Sequence, residues 1–216
     1  MSIKLQHSGG NAVSINPPTS APTSSEVAFK LPNADGSAGQ VLKTDGNGNL
    51  SWVSQPAGGL VNAVQFRLYQ NVPQDVGGAN EVLTHWEKVD TYSPGQLGTF
   101  ADPNSSGVFT FPSTGIWRID YNVRVQNTHS STVKWWKSLI SLTTDGGSSF
   151  SLASDAPTEA NIAEYDLNHT CHIFDVTNVS THKVRFVVRG EDGYIYYQGD
   201  QDQNRTYVTF MKLGDT

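Results

Sequence analysis

The sequence predicts an all-β protein, an antiparallel β-sandwich of the jelly-roll type with about ten strands. From Trp117 to Val125 apolar and polar residues alternate without a break, which is typical of a strand with one side in a core and the other in water. Turn signals built from Gly, Pro, Asn and Asp separate further short apolar runs, and no stretch shows the period of an amphipathic helix. Only 16% of the residues are charged, a composition that suits many short strands joined by turns.

The chain divides by composition into residues 1–59 and residues 60–216. The first 60 residues contain five of the ten prolines but only two of the twenty-two aromatic residues, so they bury little surface by themselves. We therefore predict that residues 1–59 form an extended, turn-rich arm. Within it, residues 31–53 form a short β-turn module punctuated by Asp-Gly turns. Residues 60–216 form the jelly-roll head.

The head contains its clearest patterned unit at residues 107–125. Phe109 and Phe111 mark a short strand, and the break at residues 112–115 (Pro-Ser-Thr-Gly) predicts a corner before the long strand. Three stretches are expected to be loops that carry specificity, because loops at the ends of a sandwich commonly do. These are residues 74–80, 93–106 and 155–168.

Charge and apolar content exclude several partners. The net charge is −6 and the isoelectric point is near 5.4, so no basic surface for nucleic acid is expected. No apolar run approaches the ~20 residues that span a bilayer, and residues 1–10 do not read as a signal peptide. Cys171 is the single cysteine, which rules out a disulfide within the chain.

No catalytic, metal-binding or cofactor-binding residue is predicted. The spacing after Asp45 and after Asp200 superficially resembles a calcium loop, but in both places the required glycine and glutamate are missing, which favours a turn. His169, Cys171 and His172 cluster, but Cys171 and His172 point to opposite sides of a strand. An enzyme has no positive support in the sequence.

Aromatic residues supply the candidates for the core or for an interface between subunits. Trp135 and Trp136 are adjacent in a strand, so they cannot both enter one core, and one of them faces solvent, a partner chain or a ligand. Aromatic enrichment favours a subunit interface, and a scattered surface aromatic is the alternative. The complete set of candidates is Trp117, Tyr121, Trp135, Trp136, Tyr194, Tyr196 and Phe210.

Four features of the head together form a recognisable order: Phe66 in a first strand, the segment His85–Val89, the pattern of loop, Gly-x-Phe-Thr, Pro, Gly and aromatic strand over residues 100–121, and the closing strand Thr206–Leu213. In this order the head resembles the globular jelly rolls of the complement and tumour-necrosis-factor superfamily. It implies a tight homotrimer around a three-fold axis with an apolar, aromatic interface.

The segment from Leu31 to Trp52 resembles a module of structural and tail-fibre-type proteins of bacteriophages, notably cyanophages. Its marks are Leu-Pro, a Gly turn, Gln-Val-Leu, an Asp-Gly turn and a terminal Trp. The resemblance implies a virion protein made in the host cytoplasm, with residues 1–59 contacting other virion proteins. We expect a tail-fibre head that binds a host-surface glycan or protein. The alternatives are a capsid decoration protein and a carbohydrate-binding or carbohydrate-processing domain.

Overall fold

A computed structural model describes most of the chain. The described residues are 3–10, 12–24, 26–54, 60–74, 77–128, 133–160, 165–191 and 194–216. They form sixteen strands and no helix, so this part of the chain offers no helical segment that could cross a membrane. The chain separates into two compact units, Met1–Gly58 and Gly59–Thr216.

The first unit consists of two small antiparallel hairpins. Its strands are β1 (Ile3–Gln6), β2 (Ala12–Ile15), β3 (Gln40–Thr44) and β4 (Leu50–Ser54). β1 pairs with β2, and β3 pairs with β4 from Gln40 opposite Ser54 to Thr44 opposite Leu50. The turn between β3 and β4 is the one that the Asp-Gly pair at residue 45 predicts.

The β3–β4 hairpin is ordered by specific contacts of the residues that give it its sequence pattern. Asp45 Oδ1 accepts hydrogen bonds from the backbone nitrogens of Asn47 and Asn49 at 2.8 and 3.1 Å, which closes the turn. The indole nitrogen of Trp52 donates to the carbonyl of Ala34 at 2.9 Å. The same indole ring packs on Gly36, where a Cβ atom would lie only 2.5 Å from it. The segment Leu31 to Trp52 is therefore ordered by specific contacts, and its turn residues have structural roles.

The second unit contains twelve strands. They are β5 (Ala63–Leu68), β6 (Val72–Pro73), β7 (Glu81–Val82), β8 (Trp86–Lys88), β9 (Val108–Thr110), β10 (Gly115–Asn127), β11 (Val133–Thr143), β12 (Ser151–Ala160), β13 (Tyr165–Val176), β14 (Lys183–Gly190), β15 (Ile195–Tyr197) and β16 (Tyr207–Gly214).

These strands form two antiparallel sheets of seven and five strands. In the larger sheet β13, β10, β16, β5 and β8 are successive neighbours. β15 pairs with the last three residues of β10 on the side opposite β13, and β6 pairs with β15. The smaller sheet has the order β12, β11, β14, with β7 and β9 pairing along β14. The long strands pair in a nested way: β5 with β16, β9 with β14, β10 with β13 and β11 with β12. A ribbon folded back on itself in this way, with alternate pairs in opposite sheets, is a jelly roll, so the predicted fold class is confirmed.

The core lies between the two sheets and is rich in aromatic rings. Phe66, Phe109 and Phe210 are fully buried, with ring centroids 5.1 to 6.3 Å apart, in tilted or edge-to-face contact. Trp117 is also fully buried, and its ring lies 5.3 Å from that of Phe111. Aromatic pairs of this kind contribute about 0.5–1.5 kcal/mol beyond their buried area.

The predicted corner at residues 112–115 is present, and it requires glycine at its last position. Gly115 has a φ of +138°, and a Cβ atom there would lie 2.3 Å from the Lys212 side chain and 2.5 Å from the carbonyl oxygen of Gly214. A larger residue would push β10 away from the end of β16. The corner therefore fixes where the long strand begins.

One sequence-based expectation about the head was wrong, and one buried charge was not foreseen. Residues 155–168 are not a long loop: they contain the end of β12 and the start of β13, and residues 161–164 lie outside the described ranges. Arg67 lies on the polar side of β5, yet it is only 1% exposed, because Glu87, Asp90 and Thr91 cover its guanidinium. The expected loop at 93–106 contains no strand, and residues 75 and 76 of the loop at 74–80 lie outside the described residues.

Candidate functional site

The structure places four of the seven aromatic candidates in the core. Trp117, Tyr121, Trp136 and Phe210 are all fully buried between the sheets. Burial of Tyr121 raises the pKa of its phenol well above the ordinary value, so it stays uncharged. These four residues are scaffold and cannot form an interface without unfolding the head.

The other three candidates lie outside the core on different elements. Trp135 belongs to the smaller sheet, and the guanidinium of Arg189 lies over its ring at 5.4 Å. Tyr196 lies on β15 of the larger sheet, and Tyr194 directly precedes that strand; both side chains are exposed. Trp135 and Trp136 thus point to opposite sides, as their adjacency requires.

A different set of apolar side chains forms the most unusual surface, along the outer side of β13. Tyr165, Leu167 and Ile173 point away from the core and are 53%, 63% and 61% exposed. Cys171 lies between them in the same row and is also exposed. We call these four residues the β13 row. Because β13 is the last strand on its side of the sheet, the row lies at the margin of the sandwich.

The inner side of β13 carries two buried polar residues, which form hydrogen bonds to the smaller sheet. The Asn168 side chain accepts a hydrogen bond from Ser138 Oγ at 2.9 Å and donates one to the carbonyl of Ala156 at 2.7 Å. The hydroxyls of Thr170 and Ser154 are 2.7 Å apart and share a hydrogen bond. Asn168 and Thr170 are both buried, so these bonds hold the margin of the sandwich closed. In its first half, β13 therefore turns the polar Asn168 and Thr170 inward and the apolar Tyr165 and Leu167 outward.

A compact charged cluster adjoins the β13 row on β10. Arg118 donates to both carboxylate oxygens of Asp120 at 2.8 and 2.9 Å, and His169 Nε2 lies 3.2 Å from Asp120 Oδ1. Burial alone would raise the pKa of Asp120, but the hydrogen bonds and charges of Arg118 and His169 outweigh it, so this pKa is lowered. The carboxylate is thus held in its charged form beside the exposed Cys171, its cross-strand neighbour.

The described residues contain no group of three or more His, Cys, Asp or Glu side chains arranged to hold a metal ion. Asp200 Oδ1 accepts the backbone nitrogens of Asp202 and Gln203, and its other oxygen pairs with Arg205 at 2.8 Å. This is the geometry of a turn. Cys171 is exposed, whereas His172 lies on the inner side of β13, where burial lowers its pKa.

Comparison with known proteins gives no family for this chain. No protein-family model and no curated protein matches it. Among solved structures, the Eiger TNF of S. frugiperda aligns over 73% of this chain and 96% of its own, with 12% identity and a TM-score of 0.48. Murine APRIL at pH 8.0 aligns over 70% of this chain and 98% of its own, with 10% identity and a TM-score of 0.49. Because these scores lie below 0.5, the fold assignment rests on the nested strand pairing described above.

Sequence reasoning missed the β13 row because the first half of the strand lies in a stretch that was expected to be a loop. The alternation of Cys171 and Ile173 with His172 and Phe174 is visible in the sequence, but both sides carry apolar residues there. The deciding signal lies further upstream, where Tyr165 and Leu167 alternate with the polar residues Asp166 and Asn168. That stretch had been expected to be a loop.

Proposed function

We propose that this chain is a non-enzymatic structural protein of a bacteriophage virion that assembles as a homotrimer and presents its jelly-roll heads to the host surface. The observation that carries the proposal is the β13 row. Isolated exposed apolar residues are ordinary on protein surfaces, but a row of four at the margin of a sheet is typical of a surface that meets another chain.

The β13 row supports self-association in particular. Burial of apolar surface contributes about 25 cal/mol per Å² removed from water, and Leu167 and Ile173 expose most of their side chains in the single subunit. Around a three-fold axis the row of each subunit meets a different surface of its neighbour, and the ring closes after three copies. The charged Asp120 cluster beside the row would then supply the polar rim that such an interface needs.

The virion location is supported by the Leu31–Trp52 module. Its resemblance to phage structural proteins rests on turn residues that have definite roles in this chain, since Trp52 needs Gly36 beneath it and Asp45 closes the β3–β4 turn. The first unit would anchor the protein among other virion proteins, and the second unit would project. A capsid decoration protein remains the second candidate, because the described residues encode no helical or repetitive shaft.

Sedimentation equilibrium of the full chain tests the assembly. The expected mass is three times the 23.5 kDa subunit mass at micromolar concentration. A monomer at that concentration would refute the trimer. Cryo-electron microscopy of purified virions tests the location: density for the head at the tail supports adhesion, and density spread over the capsid supports decoration.

A further inference from the structure

A second surface feature of the head lies far from the β13 row, on the β5 side of the larger sheet. It is a depression of about 480 Å³ between the segment 89–96 and the turn 202–204. We call it the amide pocket, because most of its polar lining consists of side-chain amides. Its chief residues are Gln65, Tyr92, Gln96, Asp202, Gln203 and Asn204. β5 and β13 are three strands apart, a separation of roughly 14 Å at about 4.8 Å per strand.

The amide pocket has a fixed polar wall. Gln65 Nε2 donates to Thr209 Oγ1 at 3.0 Å, and Gln65 Oε1 accepts from Asn204 Nδ2 at 3.2 Å. The Thr91 hydroxyl donates to the carbonyl of Asp202 at 2.9 Å, which ties the two sides of the pocket together. The amides of Gln65 and Asn204 are therefore held in one orientation before any ligand arrives, which lowers the entropic cost of binding.

The buried Arg67 holds one side of the pocket in place. Its guanidinium donates to Glu87 Oε1 and to Thr91 Oγ1 at 2.7 Å each, and it pairs with Asp90. Burying a charged group is costly unless each donor has a partner, and here the fork of the guanidinium binds three acceptors on one segment. The network fixes residues 87–91, the stretch that leads directly to Tyr92.

The backbone at Tyr92 is held in a conformation that bulky residues rarely adopt. Tyr92 and Ser93 have φ values of +59° and +55°, in the left-handed region. Such positions cost on the order of 1–3 kcal/mol each and persist where the surroundings enforce them, often at ligand sites. The result is a tyrosine side chain that is 86% exposed beside the pocket, although nothing in the core requires it there.

The lining defines the chemistry of the ligand. Amide groups both donate and accept hydrogen bonds, as sugar hydroxyls do, and the carboxylate of Asp202 accepts two or more. The ring of Tyr92 together with Pro94 and Val89 offers apolar surface for the C–H face of a pyranose ring. The described residues that line the pocket include no lysine, arginine or histidine, so an anionic ligand is not favoured. The volume lies within the roughly 300–1,000 Å³ typical of small-ligand sites.

We infer that the amide pocket binds an uncharged sugar unit, with the ring stacked on Tyr92 and the hydroxyls hydrogen-bonded to the amides. This inference rests on the proposed adhesive function and names the class of its receptor as a neutral glycan. A single shallow site binds weakly, and three copies on one trimer would raise the effective affinity for a surface dense in glycan.

The test measures binding of the full chain to immobilised neutral oligosaccharides built from glucose, galactose, mannose and N-acetylglucosamine. Tyr92→Ala removes the apolar surface on which the sugar ring packs, so we expect it to weaken binding by about fivefold or more. Tyr92→Phe keeps the ring and should stay within about threefold of the wild type. Gln203→Ala leaves the backbone at Tyr92 and Ser93 unchanged and removes one hydrogen bond to the sugar. It should therefore weaken binding by about fivefold.

Trp135→Ala is the matched control, because it removes another aromatic ring outside the core, on the other sheet. It should leave sugar binding unchanged. Loss of binding in Trp135→Ala but not in Tyr92→Ala would overturn the assignment, as would a trimer that binds no sugar of the panel. Dissociation of the trimer by Tyr92→Ala would show that this residue belongs to a subunit contact and would equally overturn it. If the protein is a monomer and Tyr92→Ala still weakens its sugar binding, the trimer is refuted but the sugar site is supported.

Discussion

β10 and β13 lie side by side over twelve paired residues, yet their outer sides differ in chemistry. β10 sends Trp117, Tyr121 and three further apolar residues into the core and keeps its charged residues on the outer side. β13 sends Asn168 and Thr170 inward and leaves Leu167 and Ile173 in solvent. Two neighbouring strands of one sheet therefore present different outer surfaces, charged on β10 and largely apolar on β13.

The difference shows that burial inside one subunit does not account for the whole apolar pattern of the head. The inner side of β13 can be polar because it lies at the margin, where Asn168 and Thr170 bond to β12 and β11 instead of filling a void. Its outer side gains nothing from being apolar in a single chain. The following experiments test this division of roles.

The largest effect is expected on the inner side of β10. Trp117→Ala removes a fully buried ring that packs against Phe100 and Phe111, so it should lower the free energy of unfolding by about 3–5 kcal/mol. The melting temperature should fall by roughly 10 °C. Asn122→Ala on the outer side of the same strand should change stability by less than about 0.5 kcal/mol. Equal effects of the two substitutions would contradict the assignment of the two sides.

On the outer side of β13, the expected effect is on assembly and not on folding. Leu167→Asp places a charge in the β13 row, so the sedimenting mass should fall from three subunits to one while the melting profile of the head is retained. Leu152→Asp is the control, because Leu152 is an exposed leucine as well, at 53%, but lies on β12 of the smaller sheet. An unchanged mass for Leu167→Asp would remove the β13 row from the interface.

The inner side of β13 should show a smaller loss. Asn168→Ala leaves the Ser138 hydroxyl and the Ala156 carbonyl without their partner in a buried setting, and each unsatisfied group costs about 1–3 kcal/mol. We expect chemical denaturation to show a loss of about 2 kcal/mol in the free energy of unfolding. If Asn168→Ala caused no loss of stability, water would have to replace the amide. The edge of the sandwich at β13 would then be more open than the structure shows.

The smallest effect concerns the charges on the outer side of β10 and depends on pH. The pKa of Asp120 is lowered from its ordinary 3.8, so its stabilising contribution is present above that value and is lost as the pH falls through the lowered pKa. Asp120→Asn should cost about 1 kcal/mol at pH 7, and the difference from the wild type should shrink at pH 3. Asp175→Asn, on the exposed side of β13, serves as the control. A difference that is the same at both pH values would show that Asp120 acts by packing alone.

The fold could be predicted from the sequence where one strand side is apolar and the other polar, as along Trp117 to Val125. It could not be predicted over residues 155–168, because Asn168 and Thr170 reverse the usual direction of the pattern and only the neighbouring strands satisfy them. The burial of Arg67 was equally hidden, since its partners Glu87 and Asp90 come from a separate segment. None of the residues of the β13 row was among the aromatic candidates for an interface, because only the strand register shows which side of a strand each residue faces.

Cys171 gives the protein a natural site for chemical labelling. It is the only thiol in the sequence, it is exposed, and it stands in the β13 row between Leu167 and Ile173. A maleimide dye would therefore attach at one known position per chain without any engineered cysteine. The rate of that reaction would measure how accessible this surface is in solution, both in the single chain and in any assembly that covers the β13 row.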